Sequence, residues 1–104
     1  SANDDKRVQQ FIKDYKAEYK SDPTNFCALG YDAAMILLTA IDKVEKDGDA
    51  KDYEDYKQKV IDAIAKGKVE GVTGTIKYDG TGDPVKSTLI IGFKDGKEYI
   101  ETTL

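Results

Sequence analysis

Hydrophobic positions along the chain keep a helical spacing up to about Lys68 and alternate thereafter. Val8, Phe11, Ile12, Tyr15 and Tyr19 stand at i, i+3, i+4, i+7 and i+11, which predicts a helix over about 5–20 with one apolar face. Pro23 disfavours the α conformation at Asp22 and so ends that helix, while Thr24 or Asn25 is placed to cap the next. The stretch Phe26 to Val44 carries only Asp32, Asp42 and Lys43 as charges, and Ala33 to Leu38 has no polar group. It predicts a helix over about 26–46 that is apolar nearly all round and therefore buried on most sides. Gly30 inside it points to close approach of another backbone or to an irregular first turn. Asp47-Gly48-Asp49 ends it, and Tyr53, Tyr56, Val60, Ile61 and Ile64 mark a third helix over about 52–66, with Gly67 expected as its left-handed stop. Beyond Lys68, Val72, Gly74, Ile76 and Tyr78 alternate with Thr73, Thr75 and Lys77, predicting a strand over about 72–78. Asp79 to Pro84 is turn chemistry, 85–93 a second strand, Asp95-Gly96 a tight hairpin turn, and 98–103 a third strand.

Three helices followed by antiparallel strands read as α+β. At 104 residues the chain is one domain or a piece of one, long enough to hold a core without staples. The uncharged run from Ala33 to Ile41 is far shorter than the roughly 20 residues a membrane span needs. No signal peptide opens the chain, which leaves a cytoplasmic protein or a mature or trimmed segment.

Composition narrows the chemistry. There is no histidine, which removes most acid–base, triad and transition-metal chemistry. The net charge is −4 with no visible basic face, so nucleic acid is not an expected partner. Cys27 cannot form an internal disulfide and has no histidine to activate it; a small buried hydrophobe is its plain reading and a catalytic thiol the sharper one. Asp52, Glu54 and Asp55 crowd an exposed helix start, where they suit the helix dipole and are poorly placed for pKa tuning as an enzyme's carboxylates. Gly67, Gly71 and Gly74 do not form a phosphate loop, because Thr75-Ile76-Lys77 opens a strand and not a helix. Asp79, Thr81 and Asp83 faintly match a calcium loop, but Pro84 and Ile90 stand where glycine and glutamate are needed. No cofactor or metal is called for, and no enzyme is expected. Asp32 is the remaining oddity: a carboxylate on a buried helix, favoured by the dipole or bonded to a nearby donor.

Several runs taken together resemble one family. They are Phe11 to Tyr19, Asp22-Pro23, Ala28-Leu29-Gly30-Tyr31-Asp32-Ala33-Ala34, Glu70-Gly71-Val72-Thr73-Gly74-Thr75-Ile76-Lys77-Tyr78-Asp79, and Gly82-Asp83-Pro84-Val85-Lys86. In that order and spacing the chain, from about Val8 to Ile100, is similar to the C-terminal part of the periplasmic branched-chain amino acid binding proteins. These are the substrate-binding subunits of bacterial ABC importers. The resemblance implies a fragment of a two-lobe α/β type I periplasmic-binding fold, with ligand held between lobes joined by three crossovers. It implies an amino acid or similar small solute as ligand, an ABC permease as partner, and an extracytoplasmic location, periplasmic or as a Gram-positive cell-surface lipoprotein. The family's carboxylate-binding serine and threonine loops would lie upstream, so this chain would not bind ligand alone. One position carries over: Phe26 stands where the loop entering the long helix presents an aromatic ring to the ligand's apolar end. The alternative for Phe26 is packing at the helix start. Tyr31 and Asp32 match the family's helix motif and read as packing.

A physical consequence follows from the resemblance. Helices patterned to pack on a sheet that is mostly missing would expose their apolar faces. The isolated chain is then expected to self-associate, as a homo-oligomer or a strand-exchanged dimer through Val85 to Phe93. Competing with this reading is a free-standing α+β module that binds a protein partner through its sheet or its tyrosine-bearing helices.

Overall fold

A computed structural model describes residues 4–104 of the chain. Helix α1 spans Lys6–Tyr19, α2 Asn25–Asp47 and α3 Tyr53–Lys66. The strands are β1 Lys68–Gly71, β2 Gly74–Tyr78, β3 Pro84–Val85, β4 Leu89–Lys94 and β5 Lys97–Thr103. All strand pairs are antiparallel: β1, β2 and β3 form one sheet in that order, and β4 and β5 form a separate ladder. The architecture is thus α+β.

Each helix begins on a side-chain cap. Asp5 accepts from the Arg7 amide, Thr24 from Cys27 and Asp52 from Asp55, satisfying amides that have no partner inside the helix. Lys20 and Gly48 close α1 and α2 in the left-handed conformation. Gly67 differs from expectation. It follows α3 at φ −76° and ψ 163°, extended and not left-handed, because the chain runs straight on into β1. A glycine is still needed there, since a β-carbon would lie 2.8 Å from the Ala63 carbonyl oxygen.

The helices meet at a few defined points. The Phe11 and Tyr31 rings, 5.1 Å apart, tie α1 to α2. Tyr56 donates to Glu45 at 2.6 Å and Lys59 pairs with Asp49 at 2.8 Å, tying α3 to the end of α2. Ala40, Val44 and Ile76 form the buried apolar core, where α2, α3 and β2 converge. That core is much smaller than α2 was expected to supply. Of its residues only Asp32, Ala40 and Val44 are buried, and Leu38 is 59% exposed. The small sheet and α3 cover one side, and among the described residues Leu29, Leu37 and Leu38 of α2 stay exposed. Gly30 likewise has no close neighbour: a β-carbon there would meet nothing within 4 Å.

The strands depart from expectation in two places. The strand expected over 72–78 begins only at Gly74, as β2; Val72 and Thr73 are the two-residue turn of a hairpin whose other strand is β1, with Gly71 facing Gly74. The strand over 85–93 is broken at 86–88, where Val85 leaves β2 and Leu89 begins the second ladder. Asp95 and Gly96 form the expected tight turn with φ of 52° and 72°, the left-handed pair that matches strand twist. The β4–β5 arm extends the molecule to 59 × 32 × 19 Å. Its radius of gyration is 16.9 Å, against about 13 Å for a compact domain of this length.

Candidate functional site

Among the described residues, Asp32 is the one buried charged side chain. Its side chain is almost wholly buried, at 1% exposure, on the face of α2 that meets the β1–β2 turn. Oδ1 accepts from the Val72 amide at 2.8 Å, and Oδ2 accepts from the Thr73 amide at 2.8 Å and the Thr73 hydroxyl at 2.6 Å. Lys86 Nζ in turn donates to Thr73 Oγ1. A buried carboxylate is costly unless hydrogen-bonded, and here both oxygens are engaged. Gly71 makes the approach possible: a β-carbon there would lie 2.5 Å from the carboxylate carbon. The sequence marked Asp32 as bonded to a nearby donor or favoured by the dipole. The structure identifies the donors as turn amides 40 and 41 residues away.

Phe26 lies elsewhere, in the first turn of α2. With Thr24 as cap it is the second helical residue, whereas an N-terminal staple joins the residue before the cap to the fourth. Its ring is 83% exposed, so packing within this chain does not account for it. Beside it, the Cys27 thiol lies 3.3 Å from the Thr24 hydroxyl and donates to the Tyr15 hydroxyl at 3.3 Å. These hydroxyls, Thr24 first and then Tyr15, hold the Cys27 pKa below the usual thiol value. Cys27 is half-buried, and among the described residues its thiol's hydrogen-bond partners are hydroxyls and not bases.

The other candidates resolve as local structure. Asp52 and Asp55 serve the start of α3: Asp52 accepts from the Asp55 amide, and Asp55 accepts from the Lys51 amide at 2.9 Å. Glu54 pairs with Lys57 at 2.8 Å on the helix surface. Asp79 accepts from both the amide and the hydroxyl of Thr81, which folds the 79–83 loop on itself. Among the described residues no group of three or more metal-ligating side chains converges. No helix among them is long and apolar enough to cross a membrane. A pocket of about 300 Å³ opens between the ends of α2 and α3, lined by Lys43, Asp47, Asp49 and Lys59. Lys43 pairs there with Asp47 and Lys59 with Asp49.

Residues 1–96 match the family described as Periplasmic binding protein. Among solved structures, the leucine binding protein LivK of Thermotoga maritima is similar at 29% identity and a TM-score of 0.73, over 100% of this chain and 27% of that one. An ABC transporter substrate-binding protein of Desulfitobacterium hafniense, solved with Leu, is similar at 28% identity and a TM-score of 0.75, over 94% of this chain and 28% of that one. A solute binding protein of R. palustris, solved with benzoate, is similar at 27% identity and a TM-score of 0.75, over 96% of this chain and 26% of that one. The chain therefore spans little more than a quarter of the length of these relatives. A search of curated proteins finds no match.

Proposed function

The chain belongs to the periplasmic binding protein family, and on that premise we propose that it is the C-terminal segment of the substrate-binding component of an ABC importer. The full protein binds an amino acid or similar small solute between two lobes and delivers it to a permease outside the cytoplasm. The observation that carries this reading is the likeness along nearly the whole chain to three solute-binding proteins, one a leucine binding protein and another solved with Leu. This segment does not hold the solute alone, because the loops that would bind the solute's polar groups lie outside it.

Phe26 is the residue of this segment that meets the ligand. Its exposed ring at the mouth of α2 supports that role, since an apolar side chain left in water gains by covering a ligand's apolar end. Calorimetry on the full-length protein, with leucine, isoleucine, valine, phenylalanine and benzoate, tests both statements. One of these solutes is expected to bind, and Phe26→Ala to weaken it about tenfold, the order of one lost apolar contact. No heat with any solute overturns the assignment, and an unchanged affinity in the variant removes Phe26 from the site.

The isolated segment also self-associates in this reading, as a homo-oligomer or by strand exchange. Leu38 on α2 and Phe93 on β4, at 71% exposure, support it, as does the edge of β4 that faces away from β5.

A further inference from the structure

We infer that Lys86, Thr73 and Asp32 form a latch that sets the angle between the helical body and the β4–β5 arm. Among the described residues the arm's strands pair only with each other, and its chain link to the body is 86–88. Thr88 already exchanges both backbone bonds with Leu104, at 2.9 and 2.8 Å, so the arm is fixed from its first rung. Pro84 and Val85 are paired to β2, so the body is fixed up to Val85. Any change in arm angle must be absorbed by the few residues between.

Those residues run along the β1–β2 turn. The Lys86 ammonium donates to Thr73 Oγ1, and the Thr73 hydroxyl, with its single proton, donates onward to Asp32 Oδ2. Ser87 passes the same turn, its Oγ 3.8 Å from where a β-carbon would sit on Gly74. Every donor in the relay points the same way, from ammonium to hydroxyl to carboxylate, the arrangement in which hydrogen bonds strengthen one another. The carboxylate end is buried in the body, so the relay reaches from the linker to a point that does not move with it. Lys86 is half-buried, unlike its exposed neighbours Val85 and Ser87, in keeping with a side chain folded back on the turn.

The test measures the distance between body and arm in the 104-residue chain. Spin labels are attached through Lys51→Cys and Glu101→Cys in a Cys27→Ser background, diluted with unlabelled chain so that only intramolecular distances are read. The parent is expected to give one narrow distribution. Thr73→Val, which keeps the amide bonds to Asp32, and Lys86→Met, which keeps the stem, are each expected to widen it about twofold, while Thr73→Ser keeps the parent width. Parent widths in both Thr73→Val and Lys86→Met overturn the latch. Should Thr73→Val fail to fold, the width in Lys86→Met decides alone. In a two-lobed solute-binding protein the latch would bias lobe closure, an extension that rests on the proposed function. The spin-label measurement involves no ligand, so its failure is distinct from failure of that function.

Discussion

Asp32 replaces turn chemistry that the sequence does not contain. Two-residue hairpin turns favour left-handed residues such as Asn-Gly, yet Val72 and Thr73 occupy this one and neither has a positive φ. Their outward amides would be left without partners, and the Asp32 carboxylate takes both. Asp32→Asn cannot accept at both oxygens, so one buried amide loses its partner. A loss of about 2 kcal/mol in denaturant unfolding is expected, with faster hydrogen exchange at the Val72 and Thr73 amides. Unchanged stability would show that the carboxylate does not hold the turn. Gly71→Ala drives a methyl group into the same carboxylate and is expected to cost about 1–3 kcal/mol in the same experiment. The oddity of a carboxylate on an apolar helix was legible from the run Phe26 to Val44 alone. Its partners were not, because no local pattern connects α2 to a turn so far along the chain.

At the scale of elements, local signals placed the helices to within a residue or so and misplaced two strand boundaries. Caps, a proline and helical periodicity are short-range features, and Thr24, Pro23 and Gly48 act where they stand. Val72 and Thr73 are strong β-formers, so a strand was expected to run through them, and long-range bonds turned them instead. The elements are also joined by exposed charge pairs that titrate in acid. The Lys59 ammonium holds Asp49 below its usual 3.8, joining α3 to the end of α2. Thr75, then Lys68, with a smaller effect from Arg7, hold Glu70 below its usual 4.5, joining β1 to β2 and α1. With folded values depressed, the unfolded chain binds more protons in acid, so stability rises with pH. That contribution is complete above the usual values and is lost as pH falls through the lowered ones. The melting temperature is expected to stay level from about pH 7 to 5 and to fall below about 4.5, with Asp49→Asn lessening the fall. A melting temperature independent of pH down to about 3 would mean these pairs contribute nothing, as exposed pairs often do.

The whole molecule carries more apolar surface than it can cover. Leu29, Leu37 and Leu38 on α2 and Ile91 and Phe93 on β4 are exposed, while among the described residues the buried apolar core is Ala40, Val44 and Ile76. Light scattering at micromolar concentration is expected to give a mass above 11.5 kDa for this chain, rising with concentration. A clean monomer with a cooperative melt would refute self-association and weaken the assignment of this chain as a segment of a larger fold.

By itself the sequence determined the three helices, the α+β order, the exclusion of histidine-based chemistry and a family resemblance carried by runs such as Gly30-Tyr31-Asp32 and Gly71-Val72-Thr73-Gly74. These depend on spacing and residue type within short windows, where propensity and capping act. Tertiary structure decided what those two runs do to each other: the Asp32 carboxylate closes the Val72–Thr73 turn, and Gly71 leaves room for it. It also decided that α2 is largely uncovered and that the last two strands form an arm. Burial and long-range hydrogen bonds depend on which segments lie side by side, and no local window of the chain contains that information.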